Sequence, residues 1–310
     1  MVFFGLEPQR FNINPMRNHI GFYIFTLFWF LMISGQELYA CRFWCALGEN
    51  QPQKIMVKQL LQSPHSLKIL GKEYSNGWSV GYYREGEPVI YRGSDASNID
   101  HNFDKAVHDV AQNLSHIIFS HLRRASSGCV EGVPNPHPFQ RTMGGKHWIF
   151  GHNGGIKKQL LIDLIGKEYL ETHSPTTCAF DPPDSWIDSE LYFIFLLKNI
   201  EENAFDVNEG LKKGLAKLYE AIGEKNKYLN FFLSDGKTLW AFRKGNTLFY
   251  HDDQKEGVTI ISSTIPDDNE KEWQAFPEDT IAEVNPSSTI KFFPIFNSGH
   301  NSGDTRHNPN

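Results

Sequence analysis

Apolar and polar positions along this chain change period twice, and the changes divide it into three stretches. Residues 41–47 (CRFWCAL) alternate weakly and carry aromatics, which predicts a strand. Residues 57–70 hold Leu60, Leu61, Leu67 and Leu70, but Pro64 interrupts them, so the run predicts two short helices or a helix and a loop. Residues 77–83 alternate as a strand, and Val89, Ile90 and Tyr91 form its partner across a Glu85-Gly86-Glu87-Pro88 turn. An amphipathic helix is expected over 103–114, a buried strand over 117–122, and over 148–154 a strand ending in a polar turn. The middle is helical, over 160–170, 189–200 and 209–222. From residue 229 the period returns to two: 229–233, a Ser234-Asp235-Gly236-Lys237 turn and 238–242 make a hairpin, with further strands at 248–250 and 258–261. Strands, then helices, then strands predict an α+β domain in which two antiparallel sheets lie between helical layers.

The first 40 residues follow another pattern. Met16-Arg17-Asn18-His19 is weakly basic, residues 20–33 are almost wholly apolar and uncharged, and 34–40 give a polar, small-residue exit. The apolar run is short of the roughly 20 residues that span a bilayer and fits the roughly 7–15 of a secretory signal. This predicts a leader over 1–40, removed after Ala40 during export to the periplasm or the exterior, with Met1 or Met16 as the start. Two alternatives stand beside it. The segment can stay as a membrane anchor, or Leu38-Tyr39-Ala40-Cys41 can serve as a lipoprotein box, placing a lipid on Cys41. Contact with a membrane is expected only in those cases. At the other end, residues 297–310 are polar and predicted to be disordered.

Composition narrows the function classes. A 40% hydrophobic and 14% aromatic content supports a folded core over 41–296. A net charge of −6 argues against a nucleic-acid surface. The four cysteines, Cys41, Cys45, Cys129 and Cys178, lack paired zinc-ligand spacing. With Cys41 reserved as a thiol, the other three allow one disulfide, and Cys129–Cys178 is a candidate pair.

Cys41 carries the sharpest chemistry. Cleavage after Ala40 would put its thiol and a free α-amine on one residue. An α-amine titrates near pH ~7.7–8 and can take the thiol proton at neutral pH, as in an N-terminal nucleophile hydrolase. Further motifs have the right donor types. His121-Leu122-Arg123-Arg124 follows an apolar strand, where an arginine can clamp a carboxylate through two parallel hydrogen bonds. His152-Asn153-Gly154-Gly155 offers a side-chain amide and backbone N–H groups, the donors of an oxyanion hole, although Asn-Gly is also a common hairpin turn. Asp188, opening a helix, can pair with an ammonium group or cap the helix.

In order, these motifs resemble the class II glutamine amidotransferases, closest to the standalone branch with the ergothioneine-pathway and glutathione-degrading γ-glutamyl hydrolases. The resemblance rests on Cys41-Arg42-Phe43, Asn76-Gly77-Trp78-Ser79-Val80-Gly81, His121-Leu122-Arg123-Arg124-Ala125-Ser126, Asn135-Pro136-His137-Pro138-Phe139, 148–154 and Asp188-Ser189-Glu190. The 229–236 hairpin and Ile261-Ser262-Ser263 followed by Trp273 extend it. It implies a four-layer αββα N-terminal nucleophile hydrolase fold. Cys41 would be the nucleophile with its own amine as base, and Asn153 and the Gly154 N–H would bind the oxyanion. Arg123 would hold the substrate α-carboxylate and Asp188 the α-ammonium, with Gly77 and Trp78 shaping the pocket wall. The reaction would cleave the γ-amide of glutamine or a γ-glutamyl compound through a thioester, without metal or organic cofactor. The alternatives are a glutaminase subunit that gives ammonia to a separate synthase, and a lipid-anchored amino-acid-binding protein.

Overall fold

The computed structural model describes residues 40–48, 53–113, 115–125, 137–223, 228–287 and 289–296. The leader and the polar tail lie outside these residues. Among the described residues no helix is long and apolar enough to cross a membrane.

Among the described residues, thirteen strands form two antiparallel sheets. The seven-stranded sheet contains β1 (Arg42–Gly48), β2 (Trp78–Arg84), β3 (Glu87–Gly93), β4 (Ile117–Leu122), β9 (Phe249–Asp253), β10 (Val258–Ser262) and the two-residue β11 (Gln274–Ala275). Its order is β11-β9-β10-β1-β4-β2-β3. The six-stranded sheet contains β5 (Phe139–Met143), β6 (Lys146–Gly154), β7 (Leu229–Ser234), β8 (Leu239–Arg243), β12 (Thr280–Val284) and β13 (Ile290–Pro294), in the order β13-β12-β8-β7-β6-β5. The strand that follows Cys41 is therefore central, with Trp44 opposite Ser262 on one side and Ser120 on the other.

Alternation along each strand sorts the side chains into three cores. Trp44, Ala46, Trp78, Val80, Ile118 and Leu122 point away from the second sheet. They pack under α1 (Gln53–Val57), the π-helical turn that continues it over Lys58–Gln62, α2 (Leu67–Leu70) and α3 (His101–Ala111). Phe43, Cys45, Phe119, Ile149, Phe232 and Ala241 meet between the sheets. There the Phe232 ring lies edge-on to Phe43 at 5.2 Å and stacks on Phe119 at 6.2 Å. Phe150, Phe231, Leu233 and Phe242 point to the far side. They are covered by α4 (Lys158–Ile165), α5 (Lys167–Thr172), α6 (Asp188–Glu202) and α7 (Val207–Ile222). Burying one such aliphatic or phenylalanine side chain is worth about 1.5–3 kcal/mol. This is the expected four-layer αββα sandwich.

The helical layers differ in build. From Ser189 to Leu197 every residue of α6 is buried, which an apolar helix adopts only when it is covered on all sides. It reaches that depth because α7 crosses it closely. A Cβ on Gly210 would stand 2.5 Å from the Ile200 Cα. The predicted 160–170 helix is instead two, α4 and α5, broken at Gly166, whose φ of 85° suits glycine. Pro64 does separate α1 with its π turn from α2, which Ser66 caps by accepting the Ile69 N–H. The Asn153-Gly154 pair is not a hairpin turn: β6 stays paired with β7 through Gly154 opposite Leu229. β5, β12 and β13 add strands that the alternation had not revealed.

Candidate active site

Cys41 stands at the start of β1, on the face that Phe43 and Cys45 present to the second sheet. Its Sγ accepts the Arg124 N–H at 3.4 Å, and its thiol faces the Arg124 carbonyl oxygen at 3.7 Å. Burial pushes the thiol pKa upward; the Arg124 contact and the Arg123 charge pull it down, and Asp188 pushes it up. The backbone around it is held from both sides. Arg42 Nη1 donates to the carbonyl oxygens of Ala40 and Cys41, with its guanidinium over the Tyr74 ring. The Phe43 N–H donates to Ser263 Oγ, and the Ser263 N–H to the Phe43 carbonyl. In the described chain the Cys41 nitrogen belongs to the peptide bond from Ala40. Cys45, also a free thiol, donates to the Ile261 carbonyl within the inner core.

Arg123 continues β4 by one residue. Its N–H donates to the Gly77 carbonyl, and its own carbonyl accepts the Asn76 N–H. Gly77 makes this junction at a φ of 101°, which favours glycine. The arginine is 3% exposed, and burial lowers its pKa while Cys41 and Asp188 act to raise it. Cys41, Arg123 and Asp188 thus lie within one another's field. Arg124 differs: it is only partly buried, and its backbone contacts the thiol.

Asp188 is the first residue of α6, and its Oδ2 accepts the Ile156 N–H at 2.9 Å. Its two successors also fasten the helix. Ser189 Oγ meets His152 Nδ1 at 2.9 Å. Glu190, nearly fully buried, accepts from Thr176 N–H, Thr177 N–H and Arg141 Nη2. Ser189 and Glu190 belonged to the quoted Asp-Ser-Glu motif without an assigned role; the structure gives them an architectural one. The nearby Cys178 is disulfide-bonded, while Cys129, its candidate partner, lies outside the described residues.

Asn153 is fully buried, near the end of β6. Its Oδ1 accepts Asn246 Nδ2 at 2.9 Å, and its backbone carbonyl accepts the same group at 3.1 Å. Its own Nδ2 is a buried donor with no hydrogen-bond partner among the described residues. Such a group costs about 1–3 kcal/mol unless something else satisfies it. Gly154 must be glycine, because a Cβ there would sit 1.9 Å from the Tyr228 carbonyl oxygen. Asn246 was not singled out from sequence; its only local signal is a Gly-Asn turn between strands.

His121 and His137 stack at 4.3 Å, and His121 Nε2 donates to the His152 carbonyl, bridging the sheets one residue before Asn153. Burial lowers the pKa of His121 to about 3, and Arg123 and His152 add to the fall. His137 and His152 are lowered by the same burial. All three are neutral at pH 7. The sheet register separates one predicted pair: Gly77 adjoins Arg123, but the Trp78 indole lies on the opposite face. It packs edge-on to Phe103 at 5.3 Å and donates Nε1–H to Asp100. Trp78 thus meets the outer core with its side chain, and only its backbone adjoins the Gly77–Arg123 junction. Among the described residues there is no group of His, Cys, Asp and Glu arranged to hold a metal ion.

A family model described as class-II glutamine amidotransferases matches residues 61–274. The chain is 29% identical over 185 residues to an uncharacterized protein of Methanocaldococcus jannaschii, covering 58% of this chain and 46% of that one. It is 29% identical over 178 residues to a Haemophilus influenzae protein provisionally named glutamine amidotransferase, covering 54% and 52%. The matched stretch thus spans about half the length of these curated relatives. A solved class-II glutamine aminotransferase domain protein of Silicibacter pomeroyi shares the fold with a TM-score of 0.50 at 18% identity, covering 81% of this chain and 98% of that one. The glutamine phosphoribosylpyrophosphate amidotransferase of Bacillus subtilis gives 0.55 at 12% identity, covering 83% and 49%.

Proposed function

The chain belongs to the class-II glutamine amidotransferases, and from that premise we propose that, once cleaved after Ala40, it hydrolyses the γ-amide of glutamine or a γ-glutamyl compound. The observation that carries this reading is the Asn153 amide, a fixed and buried donor whose Nδ2 has no partner among the described residues. Transition-state stabilisation is strongest where donors are oriented before the charge appears and water is excluded.

The steps follow from the residues. Arg123 takes the substrate α-carboxylate through its guanidinium, and Asp188 takes the α-ammonium through Oδ1, since Oδ2 holds Ile156. The freed Cys41 amine removes the thiol proton, and Sγ attacks the γ-carbonyl carbon. The C–O π electrons move to oxygen, which receives hydrogen bonds from Asn153 Nδ2 and the Gly154 N–H. The oxyanion collapses, the C–N bond breaks, and the leaving nitrogen takes the proton from the Cys41 ammonium. A γ-glutamyl thioester remains. Water gives its proton to the same amine, attacks the thioester carbon and expels the thiolate, releasing glutamate. The raised thiol pKa gives this base its task, since a buried thiol is protonated at neutral pH. Neutral His121 and His137 beside Arg123 leave the guanidinium as the positive charge for the carboxylate.

The test is a chain produced with Cys41 as its first residue and assayed for glutamate release from glutamine and γ-glutamyl amides. Stoichiometric release of glutamate and ammonia or amine, abolished in Cys41→Ala, supports the reading. Amino-acid binding without turnover would replace it with a binding protein, and turnover only with an added synthase would make the chain an ammonia-donating subunit.

A further inference from the structure

Asn153 can serve as a donor only while its amide stands one way round, because turning it about the Cβ–Cγ axis would put Oδ1 where Nδ2 stands. Nothing in Asn153 itself chooses between the two orientations. The choice comes from Asn246, whose Nδ2 donates both to Asn153 Oδ1 at 2.9 Å and to the Asn153 carbonyl at 3.1 Å. Asn246 is in turn held by its backbone. Its carbonyl accepts Asn230 Nδ2 at 3.1 Å and Arg243 Nε at 3.2 Å. Asn230 faces Asn153 directly across β6 and β7, and fixes the same turn through Thr247 O and the Lys244 N–H. Three buried asparagines therefore form a chain: Asn230 folds the turn, the turn presents Asn246, and Asn246 orients Asn153.

We propose that Asn246 is a positioning residue of the reaction, acting through Asn153 by holding its Nδ2 available to the oxyanion. This deepens the functional reading above and rests on it. The decisive property is the direction of the hydrogen bond. A carboxylate at position 246 accepts and cannot donate, so it satisfies itself by turning the Asn153 amide over. Oδ1 would then confront the developing negative charge. An alanine at 246 merely releases the amide, so it does less harm.

The experiment places Asn246→Asp and Asn246→Ala in the chain beginning at Cys41, each alone and combined with Asn153→Ala. In Asn246→Asp, kcat should fall by about 10²–10³-fold, the size of one oxyanion donor, with KM little changed. Asn246→Ala should lose less. An aldehyde analogue of the substrate, which forms a tetrahedral hemithioacetal with the thiol, should bind the Asp variant more weakly by a similar factor, while glutamate binding stays the same. With Asn153 already alanine, neither substitution at 246 should cost kcat further. If the Asp variant does not fold, the alanine cycle and the aldehyde affinity of Asn246→Ala, weakened by the same factor as its kcat, give the same test.

The inference is overturned if the losses at 153 and 246 multiply, or if substitution at 246 raises KM and leaves kcat intact. A wild-type chain that neither hydrolyses amides nor binds the aldehyde refutes the functional reading, and the inference with it. An active wild type with normal Asn246 variants refutes the inference alone.

Discussion

The two halves of the site differ in readiness. On β6 the donor side is assembled by folding alone: Asn153 is buried, oriented by Asn246 and backed by Asn230, and the close approach of Tyr228 enforces Gly154. On β1 the thiol sits in place against Arg124, yet its nitrogen is still a peptide nitrogen and burial holds it protonated. In the proposed reaction one half is complete on folding, and the other would be finished by breaking the Ala40–Cys41 bond. Polar geometry can thus be set by packing, whereas the base proposed for Cys41 would have to be made chemically.

The comparison can be broken most directly at the thiol. Cys41→Ala in the cleaved chain should abolish amide hydrolysis while thermal unfolding stays within a few degrees, as calorimetry and a glutamate assay would show. Next in size, Asn153→Ala should lower kcat by about 10²–10³-fold with KM nearly constant; a KM effect alone would mean that the donor side serves binding and not the transition state. Arg123→Lys keeps the charge but loses the paired geometry, so KM should rise by about 10–100-fold, from hydrogen bonds to charged groups worth about 1.5–3 kcal/mol. The nucleophile side can be sharpened by alkylation. With Ala40 retained, Cys41 should react slowly with iodoacetamide at pH 8, and faster as pH climbs past the ordinary thiol range. With the amine freed, reaction at pH 7–8 should accelerate, because an adjacent ammonium favours the thiolate.

The smallest effect concerns the bridge between the halves. His121 titrates near 6.5 when unfolded and at about 3 when folded. The unfolded state therefore binds the extra proton, and stability present above pH 6.5 is lost as pH falls toward 3. His137 and His152 act in the same direction. Each adds up to about 1.4 kcal/mol per pH unit to the slope. Urea midpoints measured from pH 7 to 5 should fall, and His121→Gln should flatten the decline; an unchanged slope would mean that His121 already titrates normally in the fold.

Much of this was legible in the sequence because the signals were local. Weak alternation in 41–47, the apolar run of 117–122 and the strand running into a polar turn over 148–154 located three of the strands that converge on the site, and the order of Cys41, Arg123, Asn153 and Asp188 supplied the candidate residues. Edge strands were harder: β5 sets Arg141 in the middle of its covered face, where the pattern would call for an apolar residue, and β13 buries none of its residues. Trp78 shows a different limit. A motif places it beside Gly77, but strand period sends its indole to the other side of the sheet, and only the pairing partners reveal which side holds the site. Asn246 shows a third. A residue that acts by orienting another through a long-range hydrogen bond leaves no pattern in its own neighbourhood.

The start of α6 bears on how such motifs are read at all. Asp188, Ser189 and Glu190 fasten two stretches of chain, the end of β6 at His152 and Ile156 and the segment at Thr176–Thr177. Two of the three letters work as rivets of the scaffold, whatever the first does for a substrate. A change at Ser189 or Glu190 would therefore unfasten those contacts whether or not a substrate is ever bound. The triplet taken alone attests to architecture, and its chemistry has to be argued from Cys41, Arg123 and Asn153.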